Sequence, residues 1–157
     1  MPLITYVFIA ECKNYKSLTD STRKLNVSVT QSYMKVDATD QGPYKSVDWQ
    51  GNAWYRVMGD AGTRIPEYPF TSVQNGYGHC GTWCPGYLPS GSHPKTPGEL
   101  VDNVEVCYNC NNEICFYRSR NILRNITNNV VKIRHCREYF VYYLTRPFSH
   151  PLIYCTE

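Results

Sequence analysis

Val130-Val131-Lys132-Ile133-Arg134-His135-Cys136, followed two residues later by Tyr139-Phe140-Val141-Tyr142-Tyr143-Leu144, is the stretch that decides the fold class. In the first run Val131, Ile133 and His135 fall on one side of an extended chain and Lys132, Arg134 and Cys136 on the other. That is the period-2 alternation of a half-buried strand. The second run is β-branched and aromatic with bulk on both faces, as suits a strand covered on both sides. Buried or half-buried aromatics are the simpler reading there than a tyrosine face held out for contact. The same signature repeats outward. Residues 26–30, alternating about Val27 and Val29, and residues 53–58, 101–108, 113–118 and 152–154 are short, β-branched or aromatic, and bounded by Asn, Gly or Pro. Residues 121–129 offer the only helical turn, or else a hairpin loop. Residues 69–98 carry Gly76, Gly78, Gly81, Pro85, Gly86, Pro89, Gly91, Pro94, Pro97 and Gly98. That density excludes helix and reads as turns and a long loop in need of pinning. The expectation is a mainly β fold with irregular loops and little helix.

The chain has 157 residues, enough for one domain. Charged residues are 18% and the net charge is +3, which excludes a charged disordered tail and a strongly basic nucleic-acid binder. Aromatics at 14% supply material for a core. No apolar run reaches the roughly 18 residues of a membrane-spanning helix.

Eight cysteines stand out: Cys12, Cys80, Cys84, Cys107, Cys110, Cys115, Cys136 and Cys155. An even number spread along a small chain fits a disulfide framework, and disulfides persist in oxidising compartments. Two sequons, Asn26-Val27-Ser28 and Asn125-Ile126-Thr127, point the same way and make Asn26 and Asn125 candidate glycosylation sites. The expected location is secreted or extracellular. Residues 1–11 form an apolar segment without Lys or Arg, read either as a truncated signal peptide or as an edge strand.

Other chemistries compete for the same residues. Cys80-x3-Cys84 and Cys107-x2-Cys110 resemble two zinc knuckles, with His79 and His135 beside cysteines; a zinc-binding module is the alternative function. His79-Cys80-Gly81-Thr82-Trp83-Cys84 has a faint likeness to the C-G-S-C-W signature of papain-like hydrolases, but Trp83 precedes Cys84 instead of following it. Phosphate-loop, nucleophile-elbow, zincin and calcium-loop patterns are missing, so no catalytic residues, metal or cofactor are assigned. Asp37, Asp40 and Asp48 read as a solvated loop and not as a calcium site. Arg56, between Tyr55 and Val57, reads as a strand charge facing solvent or paired locally, with a cation–π ligand contact as the alternative.

The order of motifs resembles the eight-cysteine extracellular domain of the uromodulin and zymogen-granule membrane glycoprotein family, over roughly residues 12–156. Cys12-x-Asn14-Tyr15-x-x-Leu18-x-Asp20-x-x-Arg23 is similar to the family's opening. Trp54-Tyr55-Arg56-Val57-x-Gly59-x-Ala61-Gly62 resembles W-Y-R-F-x-G-x-x-G, and Ile65-Pro66-Glu67 resembles M-P-E. Cys80-Gly81-Thr82, Pro85-x-x-Leu88, Gly91-x-His93-Pro94, Val131-Lys132-x-x-x-Cys136, Tyr139-x-Val141-Tyr142-x-Leu144 and Tyr154-Cys155-Thr156 complete the likeness. The signature positions Trp54, Tyr55, Arg56, Gly59, Gly62, Pro66, His93 and Pro94 are therefore expected to be structural. There are departures. Val47 and His150 stand where the family has two cysteines that bond each other, and Tyr68 or Pro69 where it has another. Cys84 is extra on the same loop, and the family's adjacent cysteine pair is spread out as Cys110 and Cys115.

The resemblance implies the bonds Cys12–Cys136 and Cys80–Cys155. Cys84, Cys107, Cys110 and Cys115 leave three pairings, of which Cys107–Cys115 with Cys84–Cys110 is preferred. It also implies residues 12–157 as one domain of a larger glycoprotein that is not an enzyme. Its role would be recognition or adhesion with an extracellular protein or glycan partner, through glycans bound by microbes or through matrix contacts. Nucleic acid is not an expected partner. Decoy members of the family carry Asn where Tyr143 stands, so that sequon is lost here.

Overall fold

The computed structural model describes residues 8–28, 35–37, 44–68, 78–110, 129–147 and 152–157. Their strands are β1 (Lys16–Leu18), β2 (Ala53–Val57), β3 (Cys84–Tyr87), β4 (Leu100–Glu105), β5 (Cys107–Tyr108), β6 (Val130–Cys136), β7 (Tyr139–Leu144) and β8 (Leu152–Tyr154). Helical structure among them is limited to 3-10 turns at Ala10–Cys12, Ser21–Arg23 and Gly59–Ala61. The mainly β expectation holds. None of these helices is long and apolar enough to cross a membrane.

β6 and β7 are the centre of a five-stranded sheet in the order β1-β2-β7-β6-β4. They form an antiparallel pair, Ile133 opposite Tyr142 and Cys136 opposite Tyr139. The chain reverses through Arg137 and Glu138: Arg137 has φ 55 and the Glu138 N–H donates to the Cys136 carbonyl at 2.6 Å. The alternation in β6 decides the faces. Val131 and Ile133 are buried and Lys132 is exposed. In β7 both Val141 and Tyr142 are fully buried, so this strand is covered on both sides. β2 adds to the free edge of β7, with Trp54 opposite Tyr143, and the short β1 adds in parallel to β2.

The second sheet has three strands in the order β5-β3-β8. Here the sequence reading is corrected. Residues 69–98 read as turns alone, yet they contain β3, the central strand of this sheet. Gly86 makes that possible. A Cβ there would lie 2.5 Å from Cε1 of Tyr108 and 2.8 Å from the Ile153 carbonyl, so only glycine lets the neighbouring strands close on it. Pro85 keeps its carbonyl for the Asn109 N–H at 3.3 Å. Residues 101–108 are also not one strand: β4 and β5 belong to different sheets, with Val106 between them. In residues 26–30 the described part has a single bridge, Ser28 to His79, in place of a strand. The strand read at 113–118 and the turn at 121–128 lie outside the described residues. The apolar segment 1–11 lies mostly outside the described residues; of its end, Ala10–Cys12 forms a 3-10 turn.

The two sheets share one core. Tyr55, Val57, Val131, Ile133, Tyr142 and Leu144 of the large sheet cluster with Tyr108, Leu152 and Tyr154 of the small one, around Leu18, Trp49, Ile65 and Leu88. Trp49 stacks on Tyr55 at 5.2 Å and leans on Tyr154 at 5.9 Å. β8 buries both its faces. Leu152 and Tyr154 enter this core, while Ile153 and Cys155 form a second cluster with Leu25 and Cys80. The last residues are woven into early ones: the Leu25 N–H donates to the Thr156 carbonyl at 2.9 Å, and the Thr63 N–H to the Glu157 carbonyl at 2.8 Å.

Candidate functional site

The polar residues of the signature turn inward. Arg23 is fully buried at the end of the Ser21–Arg23 turn, which Asp20 caps through the Thr22 N–H at 3.0 Å. Its guanidinium forks onto Asp37, Nη1 to Oδ2 at 2.7 Å and Nη2 to Oδ1 at 2.6 Å. It also donates to Asp48, from Nε at 3.0 Å and Nη2 at 2.5 Å, and to the Tyr154 carbonyl at 3.1 Å. Asp48 Oδ2 accepts the N–H groups of Thr19 and Asp20, each at 3.0 Å, and Asp37 Oδ2 that of Tyr154 at 2.9 Å. Asp37 and Asp48 are thus no solvated loop: one arginine fork satisfies both, the geometry for which Arg is suited and Lys is not. Asp40 lies outside the described residues. Burial works against both charges. Even so, the two aspartates hold Arg23 more firmly protonated than a free guanidinium. Burial pushes the Asp48 carboxyl up, but the Arg23 bonds and charge outweigh it and hold the group below its usual value.

A second, half-buried relay ties the Gly/Pro loop to the large sheet. Glu67 accepts the N–H groups of Gly91 at 2.7 Å and His93 at 3.0 Å, and Nδ1 of His93 at 2.5 Å. A carboxylate only accepts, which assigns the ring proton to Nδ1. Nε2 then accepts the Tyr142 hydroxyl at 2.7 Å, and that hydroxyl accepts the Ile65 N–H at 3.2 Å. Burial lowers the His93 imidazole from its ordinary value and outweighs Glu67, which favours the charged form. Burial raises the Glu67 carboxyl, but its His93 and Gly91 bonds prevail and leave it below the usual range. The arrangement is that of a carboxylate–histidine–hydroxyl relay, but Tyr142 is fully buried, so its hydroxyl meets no substrate. Buried Pro66 and Pro94 flank the two arms.

The other signature residues also make internal contacts. Tyr55 donates its hydroxyl to the Gly51 carbonyl at 2.7 Å and accepts the Gln50 N–H at 2.9 Å. Gly59 and Gly62 sit at φ 59 and 100, and a Cβ on Gly62 would strike the Glu157 backbone. Arg56 is paired locally: its guanidinium carbon lies 3.7 Å from the Tyr139 ring centroid and Nη1 donates to the Tyr15 hydroxyl at 3.0 Å. Its cation–π contact is internal. Half-buried Trp54 meets Tyr143 edge-on at 5.6 Å on the same outer face.

Cys12 bonds Cys136, Cys80 bonds Cys155 and Cys84 bonds Cys110. Cys107 is also disulfide-bonded, and Cys115 lies outside the described residues. This overturns the zinc alternative. A zinc site on Cys80, Cys84, Cys107 and Cys110 needs thiolates, and all four sulfurs are in disulfides. A cysteine nucleophile at Cys80 or Cys84 fails for the same reason.

A cleft of about 1190 Å³ opens where the first described residues meet the β6–β7 turn. Phe8, Ile9, Pro97, His135 and Tyr139 line it, with the Cys12–Cys136 bond in its wall. Phe8 is 71% exposed at its lip. Arg134 braces one side, donating to Glu11 and to the Gly98 carbonyl, each at 2.8 Å. Asn26 is exposed next to the Cys80–Cys155 cluster; Asn125 lies outside the described residues.

Sequence reasoning missed the buried roles of Arg23, Asp37 and Asp48 and the Glu67–His93–Tyr142 relay. Arg23 stands between polar Thr22 and Lys24, so no local pattern marks it as buried. The one available signal was the motif order itself, since Arg23, Glu67, His93 and Tyr142 all fall within the quoted motifs.

A family model for the uromodulin-like domain matches residues 55–156, from β2 to the residues after β8. The chain is 30% identical over 150 residues to the pancreatic secretory granule membrane major glycoprotein GP2 of Rattus norvegicus, an alignment covering 93% of this chain and 23% of that protein. Against GP2 of Mus musculus the identity is 29% over 153 residues, with the same coverage. Uromodulin of Rattus norvegicus is 26% identical over 147 residues, covering 93% of this chain and 18% of the relative. The chain spans less than a quarter of the length of these relatives.

Proposed function

Because the chain belongs to the uromodulin-like domain family, we propose that residues 12–157 form a non-catalytic extracellular recognition module of a larger secreted or surface-anchored glycoprotein. The observation that carries this reading is the state of the cysteines: every described one is disulfide-bonded, which suits an oxidising compartment. The polar signature residues supply support of a second kind. Arg23, Glu67 and His93 serve as internal struts, which fits a structural and not a catalytic use of these polar groups.

Recognition is assigned to the surface and its glycans. Exposed Asn26 fits an occupied sequon, and Asn125 is proposed as the second. Glycans at these positions would be the element that a microbial lectin or matrix partner binds. They replace the family position at Tyr143, which here packs against Trp54.

The test is an intact mass of the protein secreted from eukaryotic cells, before and after reduction and glycan removal. The expected result is a gain of eight hydrogens on reduction and a mass loss on glycan removal that Asn26→Gln reduces. Binding to mannose-specific bacterial fimbriae or to matrix glycoproteins should fall with the glycan. Free thiols together with an unglycosylated chain would overturn the reading.

A further inference from the structure

The loop between Pro89 and Gly98 has two firm ends and one fastening between them. At one end the Leu88 N–H donates to the Pro66 carbonyl at 3.0 Å and the Tyr68 N–H to the Leu88 carbonyl at 2.9 Å. At the other, the Gly98 N–H donates to the His135 carbonyl at 2.8 Å and the His135 N–H to the Glu99 carbonyl at 3.0 Å. Among the described hydrogen bonds, residues 90–97 are tied to the rest of the fold only through Glu67 and through His93 to Tyr142. Thr96 bonds only its near neighbour Glu99. The side chain of His93 is 8% exposed and packs on Phe140 at 4.6 Å.

We propose that His93 is a pH-operated latch that holds this loop on β7 when neutral and, when protonated, frees it from β7 and leaves it tied through Glu67 alone. The chemistry lies in the Tyr142 end. Neutral His93 offers Nε2 as the acceptor for the buried Tyr142 hydroxyl, whose oxygen already takes the Ile65 N–H. A second ring proton turns Nε2 into a donor. Two donors then face the hydroxyl oxygen, and the hydroxyl proton of fully buried Tyr142 loses the acceptor it has.

The groups facing His93 decide whether this happens at a useful pH. Glu67 favours the imidazolium. Burial opposes it, Arg64 opposes it and Glu157 favours it. Arg64 and Glu157 are paired with each other at 2.8 Å at the surface, so their effects on His93 offset. From β7 the neighbours are uncharged Phe140 and Tyr142. Burial prevails, so protonation is shifted to the acid side of the ordinary imidazole value and is coupled to opening. The released loop carries Thr96 and Pro97, which form part of the wall of the cleft at the first described residues, so acid would reshape that cleft.

The test is amide hydrogen exchange of the disulfide-intact protein at pH 7.5 and 5.5, corrected for intrinsic rates. The amides of Ile65, Gly91 and His93 should lose protection about tenfold or more at the lower pH, with a smaller change across β6 and β7. His93→Gln, which cannot gain a proton, should show no such step. Tyr142→Phe, which removes the hydroxyl and keeps His93, guards against a glutamine variant that folds poorly. It should show reduced Ile65 protection already at pH 7.5 and no step for the loop. Unchanged protection of the three amides in the wild type, an equal loss across β6 and β7, or a step that survives in both variants would each overturn the latch.

Discussion

The two sheets are built on different terms. The five-stranded sheet has its longest strand in β6, where alternating apolar residues set the faces. The three-stranded sheet has strands of two to four residues that include a proline, a glycine and two cysteines. It has too few residues to specify itself by side-chain pattern. It is instead tied by Cys84–Cys110 across β3 and the chain after β5, by Cys80–Cys155 behind β8, and by the polar groups of Arg23 and Asp37 at Tyr154. Asn129 adds a buried knot, donating to the hydroxyls of Tyr108 at 2.5 Å and Tyr154 at 2.9 Å. The large sheet is held mainly by repetition, with Cys12–Cys136 and the His93–Tyr142 bond added to it, and the small sheet by individual ties. Damage should therefore spread gradually over the first and be abrupt in the second.

That contrast can be broken by substitution. Replacing Cys80 and Cys155 together with alanine removes a bond between residues 75 apart and should cost about 4 kcal/mol in the chain-entropy view, read from urea unfolding. Arg23→Leu leaves Asp37 and Asp48 buried without a counter-ion and should cost about 3–5 kcal/mol in the same assay. An Arg23→Leu protein as stable as the parent would show that the network is not a tie. Gly86→Ala adds one methyl group where Tyr108 and Ile153 already close in, and a loss of about 3 kcal/mol is expected, near the upper end for overpacking. Ile133→Val, in the middle of the large sheet, should cost only about 1 kcal/mol by the same measurement. If the valine costs more than the alanine at Gly86, the two regimes are not distinct.

Acid sharpens the contrast further, because the two buried charge sites respond at different pH. His93 is lowered in the fold, so its neutral-state contribution is complete above the unfolded value near 6.5 and is lost as pH falls below it. Asp48 is also lowered, so its contribution is complete above the ordinary 3.8 and is lost only as pH falls through its depressed value. The urea midpoint should decline in two stages on acidification. His93→Gln should flatten the first stage and leave the second in place.

The same contrast explains what the sequence made legible. Val131 and Ile133 announce β6, since a period of two survives in a long strand with one face in the core, and the continuous β-branched and aromatic run of residues 139–144 announces β7, which is covered on both sides. Residues 84–87 read as loop because Pro85 and Gly86 are strand breakers by local rule. The reason they belong in a strand is Tyr108 and Ile153, both distant in sequence. Lys16–Leu18 is too short to show a period at all. Arg23 and His93 were quoted for their place in a motif, but their roles rest on Asp37, Asp48 and Tyr142, which no spacing rule brings together.

The weaving of residues 152–157 through the rest of the fold has a consequence for the order of synthesis. Cys80 leaves the ribosome 75 residues ahead of its partner, while Cys84 follows it by four positions and is free to react first. β3 likewise waits for β8, and the Arg23 fork for the Tyr154 carbonyl. The large sheet can assemble from residues already made; the small sheet cannot close until the final strand arrives. Until then the nascent chain holds unpaired thiols and an open apolar face, and its yield depends on how well isomerases and chaperones guard that interval.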